Sequence, residues 1–189
     1  TIADAEVERL PRRTKLIDVQ WTCDDGTEIV ISTTRPELIC ACGVVVVHPD
    51  DERYSHLVGK RIQLPMPVHG RETSVEIKTH PSVKSDFGSG VLMVCSFGDQ
   101  NDVAVFRELG LTPFQAINLD GRVTELAGPF SGQTVLEARS AAIEHLETEG
   151  RLVNVVEREQ EIPVSERGKN PVEIILLKEW YVRQTHTQD

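Results

Sequence analysis

The chain has few cysteines and no long apolar segment. Its four cysteines, Cys23, Cys40, Cys42 and Cys95, have no pattern of paired spacings, which argues against a secreted scaffold held together by disulfides. No uncharged apolar run approaches the roughly 20 residues of a membrane-spanning helix, and the first residues lack the apolar core of a signal peptide. We therefore expect a cytoplasmic protein with no membrane partner.

Positive charge is also in short supply. Lysine and arginine total 20 against 30 acidic residues, which gives a net charge of -10. Proteins that bind long stretches of nucleic acid neutralise the phosphates with lysine and arginine. The excess of acidic residues in this chain therefore excludes an extended nucleic-acid binder. It leaves room for a small RNA footprint.

The size and hydrophobic content fit one compact domain spanning residues 1–189. A chain of 189 residues with 39% hydrophobic residues can bury a core without disulfides or metals. Cys40 and Cys42 flank a single position and cannot by themselves supply a tetrahedral metal site. We predict no metal and no cofactor. Because no methionine begins the sequence, we expect a piece of a longer protein.

Extended segments outnumber helical ones, and the pattern predicts an α+β fold with a β-barrel core and peripheral helices. Asp25-Gly26 supplies a hairpin turn between the first two predicted strands. The predicted strands cover residues 15–22, 28–34, 43–48, 60–64, 74–79, 90–96, 114–117, 152–158 and 172–177.

Two helices are predicted. One begins at a capping box formed by Thr134 and Glu137 and ends at Gly150, with Leu136, Ile143 and Leu146 as its buried stripe. The other runs from Asp99 to Gly110, with a buried stripe of Val103, Phe106 and Leu109.

Asp99 and Asp102 lie in the first turn of the second of these helices. Carboxylates at a helix start commonly accept free backbone N–H groups, which is the ordinary structural explanation. The preceding residues favour a site, because a glycine-flanked turn at Gly88-Ser89-Gly90 leads into an apolar strand that runs directly into the acidic helix start. Loop, strand and helix tip together predict a pocket wall.

A second candidate cluster lies where the second predicted strand ends. Residues 32–37 read Ser-Thr-Thr-Arg-Pro-Glu, which places three hydroxyls and a guanidinium beside the proline that ends the strand. Threonine has a high strand propensity and arginine is common on surfaces, so the run also has an ordinary explanation.

Together these motifs resemble a known family, the inserted editing domains of valyl-tRNA synthetases. The resemblance rests on residues 33–37, on the run Val-Val-His-Pro-Asp-Asp-Glu-Arg-Tyr that ends at Tyr54, on the glycine turn, and on Gly-Asp-Gln-Asn-Asp at 98–102. It covers most of the chain, with the motifs in the same order as in the family. The residues themselves are closer to those of the archaeal type of the enzyme. The tail resembles the segment that returns to the synthetase body, so about residues 1–14 and 160–189 are expected to be connections to that body.

The resemblance implies hydrolysis of the ester that joins a wrong amino acid to the terminal adenosine of tRNA. Asp102 matches the residue that holds the α-ammonium group, and Asp99 matches one that lines the side-chain pocket. Thr33, Thr34 and Arg35 match residues around the adenosine and the ester, and Asp102, Thr33 and Thr34 are the expected catalytic residues. The other expected substrate contacts are Glu37, Gly88, Ser89, Gly90 and Cys95. The implied partners are the mischarged tRNA acceptor end and the rest of the synthetase.

The sequence departs from the common bacterial pattern at several positions. Leu38, Met93 and Cys95 replace polar residues of the pocket, and Gly98 stands where histidine is frequent. Ser165 and Gly168 occupy positions where relatives often have zinc-binding cysteines.

Two alternatives remain open. One is an editing domain of an isoleucyl- or leucyl-tRNA synthetase, and the other is a non-catalytic domain that binds an aminoacyl group or RNA.

Overall fold

The computed structural model describes residues 6–175, which form an α+β fold as predicted. Two helices, α1 (Gln100–Glu108) and α2 (Val135–Thr148), accompany the strands. Within residues 6–175 no helix is long and apolar enough to cross a membrane. The strands are β1 (Val7–Cys23), β2 (Glu28–Thr33), β3 (Cys42–Val47), β4 (Arg61–Gln63), β5 (Ser74–Thr79), β6 (Val91–Cys95) and β7 (Leu152–Ser165).

The predicted hairpin is confirmed. β1 and β2 pair antiparallel with Ile17 opposite Thr33, and Gly26 takes a φ of 85° in the turn between them. Such a positive φ carries little steric cost for glycine. Alternate residues of β1, Ile17, Val19 and Trp21, are fully buried, as the period of a strand with one face on a core requires.

The strands form one mixed, curled sheet. Its order is β2-β1-β4-β5-β3-β6, with β3 and β5 parallel and the other neighbours in this order antiparallel. β2 and β6 stand at opposite ends of this order yet lie against each other, so the sheet curls towards a barrel. The fold prediction is therefore confirmed, and the main core fills the inside of the curl.

A long two-stranded ribbon joins the two ends of the described chain. β1 and β7 pair antiparallel from Val7 opposite Ser165 to Val19 opposite Leu152, so the chain enters and leaves the fold side by side. The sequence had assigned residues 1–14 and 160–189 to connections. Within the described residues much of those two segments is paired strand, because β1 and β7 pair from Val7 opposite Ser165 inwards.

The helices begin where predicted, but their buried faces differ from the prediction. Thr134 and Glu137 form the capping box of α2. Leu136 was predicted to be buried and is 66% exposed, because α2 turns its alanine face, Ala138 and Ala142, with Leu146 towards the core. Small alanines allow close approach to the 3-10 helix Pro36–Ala41, which the sequence analysis did not predict.

Two predicted strands differ in the structure. Residues 114–117 form only one isolated bridge, Ile117 to Val123, because Thr124 binds the carbonyl groups of Gln115 and Ala116 from the following loop. Of the predicted strand 172–177, residues 172–175 are not in a strand, and the last two lie outside the described residues.

Candidate functional site

The glycine turn before β6 is fastened to the end of β2. The Ser89 N–H donates to Ser32 Oγ at 3.1 Å, and Ser32 Oγ donates in turn to Asp18 Oδ1 at 2.6 Å. Gly88 has a φ of 57°, and a Cβ atom there would lie 2.6 Å from Ser32 Oγ. The turn can approach β2 this closely because residue 88 has no side chain. The structure thus brings the two predicted motifs together.

The turn from β6 into α1 is built on unusual backbone geometry. Phe97 has a φ of 60°, which is a left-handed conformation that a bulky residue rarely adopts and that costs about 1–3 kcal/mol. The turn leads to Asp99, the N-cap of α1, whose Oδ1 accepts the Asp102 N–H at 2.9 Å. For Asp99, which is exposed, the ordinary capping explanation therefore holds.

Asp102 behaves differently although it lies in the same helical turn. Its carboxylate points back towards β6, where Oδ2 accepts the Cys95 N–H at 3.2 Å. Burial, together with the negative charge of Asp99, raises the pKa of Asp102 to about 7, although the Cys95 hydrogen bond and the charge of Arg35 act in the opposite direction. A half-buried carboxylate with a raised pKa attracts a cation strongly.

Gly98 makes room for this carboxylate. A Cβ atom at residue 98 would overlap Asp102 Oδ2 and would also approach Cys95 Cβ to 3.6 Å. Any side chain at residue 98, including the histidine that the resemblance implies for this position, is therefore incompatible with the present position of the Asp102 side chain. The absence of a side chain at residue 98 therefore allows the Asp102 carboxylate to lie against the Cys95 N–H.

We expect Gly98→Ala to displace the Asp102 carboxylate from the Cys95 N–H. The clash is with the end of the Asp102 side chain, which can move, so the main cost of about 1–3 kcal/mol comes from the buried Cys95 amide that loses its partner. Amide hydrogen exchange checks this, since exchange at Cys95 should accelerate while the amides in the middle of β3 stay protected. Unchanged exchange at Cys95 would show that Asp102 keeps its place beside a side chain at residue 98.

The hydroxyl and guanidinium cluster lies where predicted, at the end of β2. Thr33 is buried, and its Oγ1 accepts the Arg35 backbone N–H at 3.0 Å, while Thr34 is half-buried. The Arg35 side chain donates from Nε to Glu37 and from Nη2 to Glu173 at 2.6 Å. These carboxylates raise the pKa of Arg35 despite its burial, so the guanidinium remains charged.

Glu37 lies below this surface. Its side chain has no exposed area, and its carboxylate binds Arg35 on one side and Arg139 of α2 on the other. The Arg139 contacts are bidentate, at 2.7 and 3.0 Å. The predicted contact of Glu37 with substrate thus involves a carboxylate whose two oxygens already hold arginines.

The cysteines near the site are thiols at neutral pH. A hydrogen bond with Cys42, burial and nearby negative charges raise the pKa of Cys95 well above its usual range. Burial raises the pKa of Cys40 to about 12. Because a thiolate is the nucleophilic form, neither group is prepared for covalent catalysis.

The positions that depart from the bacterial pattern lie in the core. Leu38, Met93 and Cys95 are all less than 7% exposed and belong to the main hydrophobic cluster. Leu38 also borders a small recess together with Phe97, Ile117 and Ile174. These three side chains therefore pack in the core.

Three charged residues that contribute to the site escaped the sequence analysis. Asp18 holds Ser32, whereas Arg139 and Glu173 hold the Glu37 and Arg35 pair. Asp18 gave a signal, since it is an acidic residue between the buried Ile17 and Val19. For Arg139 and Glu173 no local pattern distinguishes them from surface charges.

The chain was compared with known proteins. No family model matches it. It is 41% identical to the valine–tRNA ligase of Aeropyrum pernix over 100% of this chain and 23% of that protein. It is 42% identical to the enzyme of Archaeoglobus fulgidus over 97% of this chain and 20% of that protein. The chain thus spans about one fifth of the length of these curated relatives.

A solved structure shares the fold. It is the LeuRS agnB2 of Agrobacterium radiobacter K84 in a ternary complex with tRNA and LeuAMS, with a TM-score of 0.56 and 19% identity. The match covers 79% of this chain and 20% of that chain. Similarity over the whole of this chain leads to one assignment: the chain is homologous to a segment that makes up about one fifth of archaeal valine–tRNA ligases.

Proposed function

We propose that this chain is an editing domain that hydrolyses threonyl-tRNA(Val). The observation that supports this proposal most directly is the half-buried carboxylate of Asp102 at the start of α1, which accepts the Cys95 N–H. A carboxylate in such surroundings binds an ammonium group through charge-assisted hydrogen bonds. The α-ammonium group of an aminoacyl ester is a ligand of this kind.

In the proposed reaction, water adds to the ester carbonyl carbon while Asp102 holds the substrate by its ammonium group. The bond between that carbon and the ribose oxygen then breaks, the ribose oxygen takes up the proton that the attacking water gives up and becomes a hydroxyl, and the free amino acid leaves. Thr33 and Thr34 at the end of β2 orient the water and the ester oxygens. The glycine turn 88–90, which is fastened to β2 through Ser32, forms the opposite side of the site.

Threonine is the expected target because it resembles valine in shape and carries a hydroxyl. A hydrophobic synthesis site rejects such an analogue by only about 10²-fold, a figure that comes from valyl-tRNA synthetase itself rather than from this sequence. In this proposal the Asp99 carboxylate accepts a hydrogen bond from the threonine hydroxyl. It can do so because a carboxylate has more lone pairs than the capping bond uses. Valine would make no such hydrogen bond, and because Asp99 is exposed and water can replace the lost donor, the difference is about 0.5–1.5 kcal/mol.

The proposed setting is a longer synthetase that delivers the acceptor end of tRNA. The side-by-side ends of β1 and β7 are those expected of a domain inserted into another domain. A tRNA is present in the solved complex that shares this fold. In this proposal the domain joins the rest of the synthetase at the end of the ribbon where Val7 lies opposite Ser165.

The test is deacylation of threonyl-tRNA(Val) and valyl-tRNA(Val) by the 189-residue chain at low salt. We expect threonine to be released about 2- to 10-fold faster than valine, which corresponds to the net free energy of one such hydrogen bond. Equal rates would contradict the role of Asp99. Faster release of valine from valyl-tRNA(Ile) would favour an isoleucyl-tRNA synthetase, and faster release of isoleucine from isoleucyl-tRNA(Leu) would favour a leucyl-tRNA synthetase. Binding without release would favour a non-catalytic domain.

A further inference from the structure

The positive charge of Arg35 acts on Asp102, but the ion pairs of Arg35 are made elsewhere. In the described part of the chain, its Nε pairs with Glu37 at 2.9 Å and its Nη2 with Glu173 at 2.6 Å. Both carboxylates are poorly exposed, at 0% for Glu37 and 19% for Glu173. The guanidinium is thus held by two carboxylates that do not belong to the ammonium-binding site.

Asp102 would be an attractive alternative partner for that guanidinium. The charged and titratable groups that act on it are Asp99 of α1, Arg35 after β2 and Cys95 of β6. Asp99 repels it and the Cys95 thiol is neutral, so Arg35 is the cation among them. A desolvated carboxylate beside an unrestrained guanidinium would form a bidentate pair with it.

We propose that Glu37 and Glu173 are positioning residues that hold the Arg35 guanidinium away from Asp102, so that the Asp102 carboxylate stays free for the ammonium group of the substrate. The identity of that ligand rests on the proposed function, whereas the arrangement of the charges does not. Arg35 still contributes a positive charge to the site, but it does not fill the place of the substrate.

The restraint is anchored on three separate parts of the fold. Glu37 belongs to the 3-10 helix Pro36–Ala41 and is fixed by the bidentate contacts of Arg139 from α2. Glu173 lies in the segment that follows β7. Two arginines and two glutamates balance in charge, so the cluster can be buried without a net charge.

Removing one anchor should release Arg35 towards Asp102. Glu173→Gln keeps the shape of the side chain and removes its charge, which leaves Nη2 of Arg35 with a weaker partner. An ion pair with arginine lowers the pKa of an aspartate by about 1–3 units. The same pair would compete with the substrate ammonium group, so we expect KM for the threonyl ester to rise about tenfold while kcat changes little.

The decisive measurement is an NMR titration of the Asp102 carboxyl carbon in the 189-residue chain. Glu173→Gln should lower the pKa of Asp102 by at least about one unit. Loss of the Glu173 charge could do this directly, so the substitution is repeated in an Arg35→Gln background. If Glu173 acts through Arg35, the shift nearly disappears in that background. An equal shift in both backgrounds, or no shift at all, would overturn the proposal.

The matched control is Glu166→Gln, which removes the same charge from an exposed turn between β7 and Glu173. It should leave both the Asp102 titration and KM unchanged. If the chain releases no amino acid at all, the proposed function fails, yet the titration still decides whether Glu173 restrains Arg35. If hydrolysis is normal and the shift is the same in both backgrounds, only the positioning role is lost.

Discussion

Replacing Asp102 with asparagine is expected to slow the deacylation of threonyl-tRNA(Val) by about 10²- to 10³-fold. The substitution keeps the shape of the side chain and removes the charge that holds the substrate ammonium group. Loss of one partner of a desolvated charge pair costs about 2–5 kcal/mol, which is the basis of this magnitude. Single-turnover deacylation of wild type and Asp102→Asn measures the effect directly.

The raised pKa of Asp102 adds a pH dependence to this prediction. Its ionised form binds the ammonium group, so below pH of about 7 the wild-type kcat/KM should fall about tenfold per pH unit. Asp102→Asn has no such carboxyl and should lack this acid limb. A wild-type rate that stays flat between pH 5 and about 8 would contradict the assigned role of Asp102.

Stability should change in the opposite sense. The pKa of Asp102 is about 7 in the folded chain and near 3.8 without the fold, so the folded state binds the proton more tightly. The stabilisation from this proton is complete below pH 3.8 and is lost as pH rises through about 7. At pH 8, Asp102→Asn should therefore be more stable than wild type, by up to about 4 kcal/mol.

Urea unfolding at pH 5 and pH 8 checks this sign, with Asp50→Asn as the control. The Asp50 side chain is 90% exposed, so its substitution should change the free energy of unfolding little at either pH. A variant at residue 102 that is less stable than wild type at pH 8 would show that the ionised carboxylate stabilises the fold.

The second large effect is expected from Glu37→Ala, which should lower the free energy of unfolding by about 3–5 kcal/mol. Glu37 has no exposed area and lies between Arg35 and Arg139. Its removal leaves two guanidinium groups facing each other, and Arg35 lacks its Nε partner. The loss of a buried carboxylate that holds two charges is much more costly than the loss of a surface ion pair.

Denaturant unfolding of Glu37→Ala beside Glu72→Ala measures this difference. Glu72 also pairs with an arginine, Arg61, but its side chain is 78% exposed. Its substitution should cost less than about 1 kcal/mol. Comparable losses for the two variants would mean that burial of the Glu37 cluster contributes nothing beyond an ordinary ion pair.

Local patterns were sufficient for much of the fold. Asp25-Gly26 predicted the turn of the first hairpin, and Thr134 with Glu137 predicted the start of α2. Five further predicted strands, residues 43–48, 60–64, 74–79, 90–96 and 152–158, correspond to β3, β4, β5, β6 and the first half of β7. These features depend on neighbours within a few residues, so the order of the residues is enough to specify them.

Local patterns gave wrong predictions where contacts between distant segments determine which residues are buried or paired. Leu136 has the spacing of a buried helix residue, but the face of α2 that docks is set by the 3-10 helix beneath it. Residues 114–117 have strand propensity, but their carbonyl groups are bound by the loop around Thr124. Burial and pairing belong to the folded arrangement, and propensity only biases them.

The sequence by itself determined the α+β class, the two candidate motifs and, through their resemblance, the relationship to valine–tRNA ligases that similarity over the whole of this chain supports. It could not separate Asp99 from Asp102, two carboxylates in the same helical turn. Only the tertiary structure made one an exposed cap and the other a half-buried group against the end of β6. In the same way it joined Glu37 to Arg139 across 102 residues, because charges pair by distance in space rather than by distance along the chain.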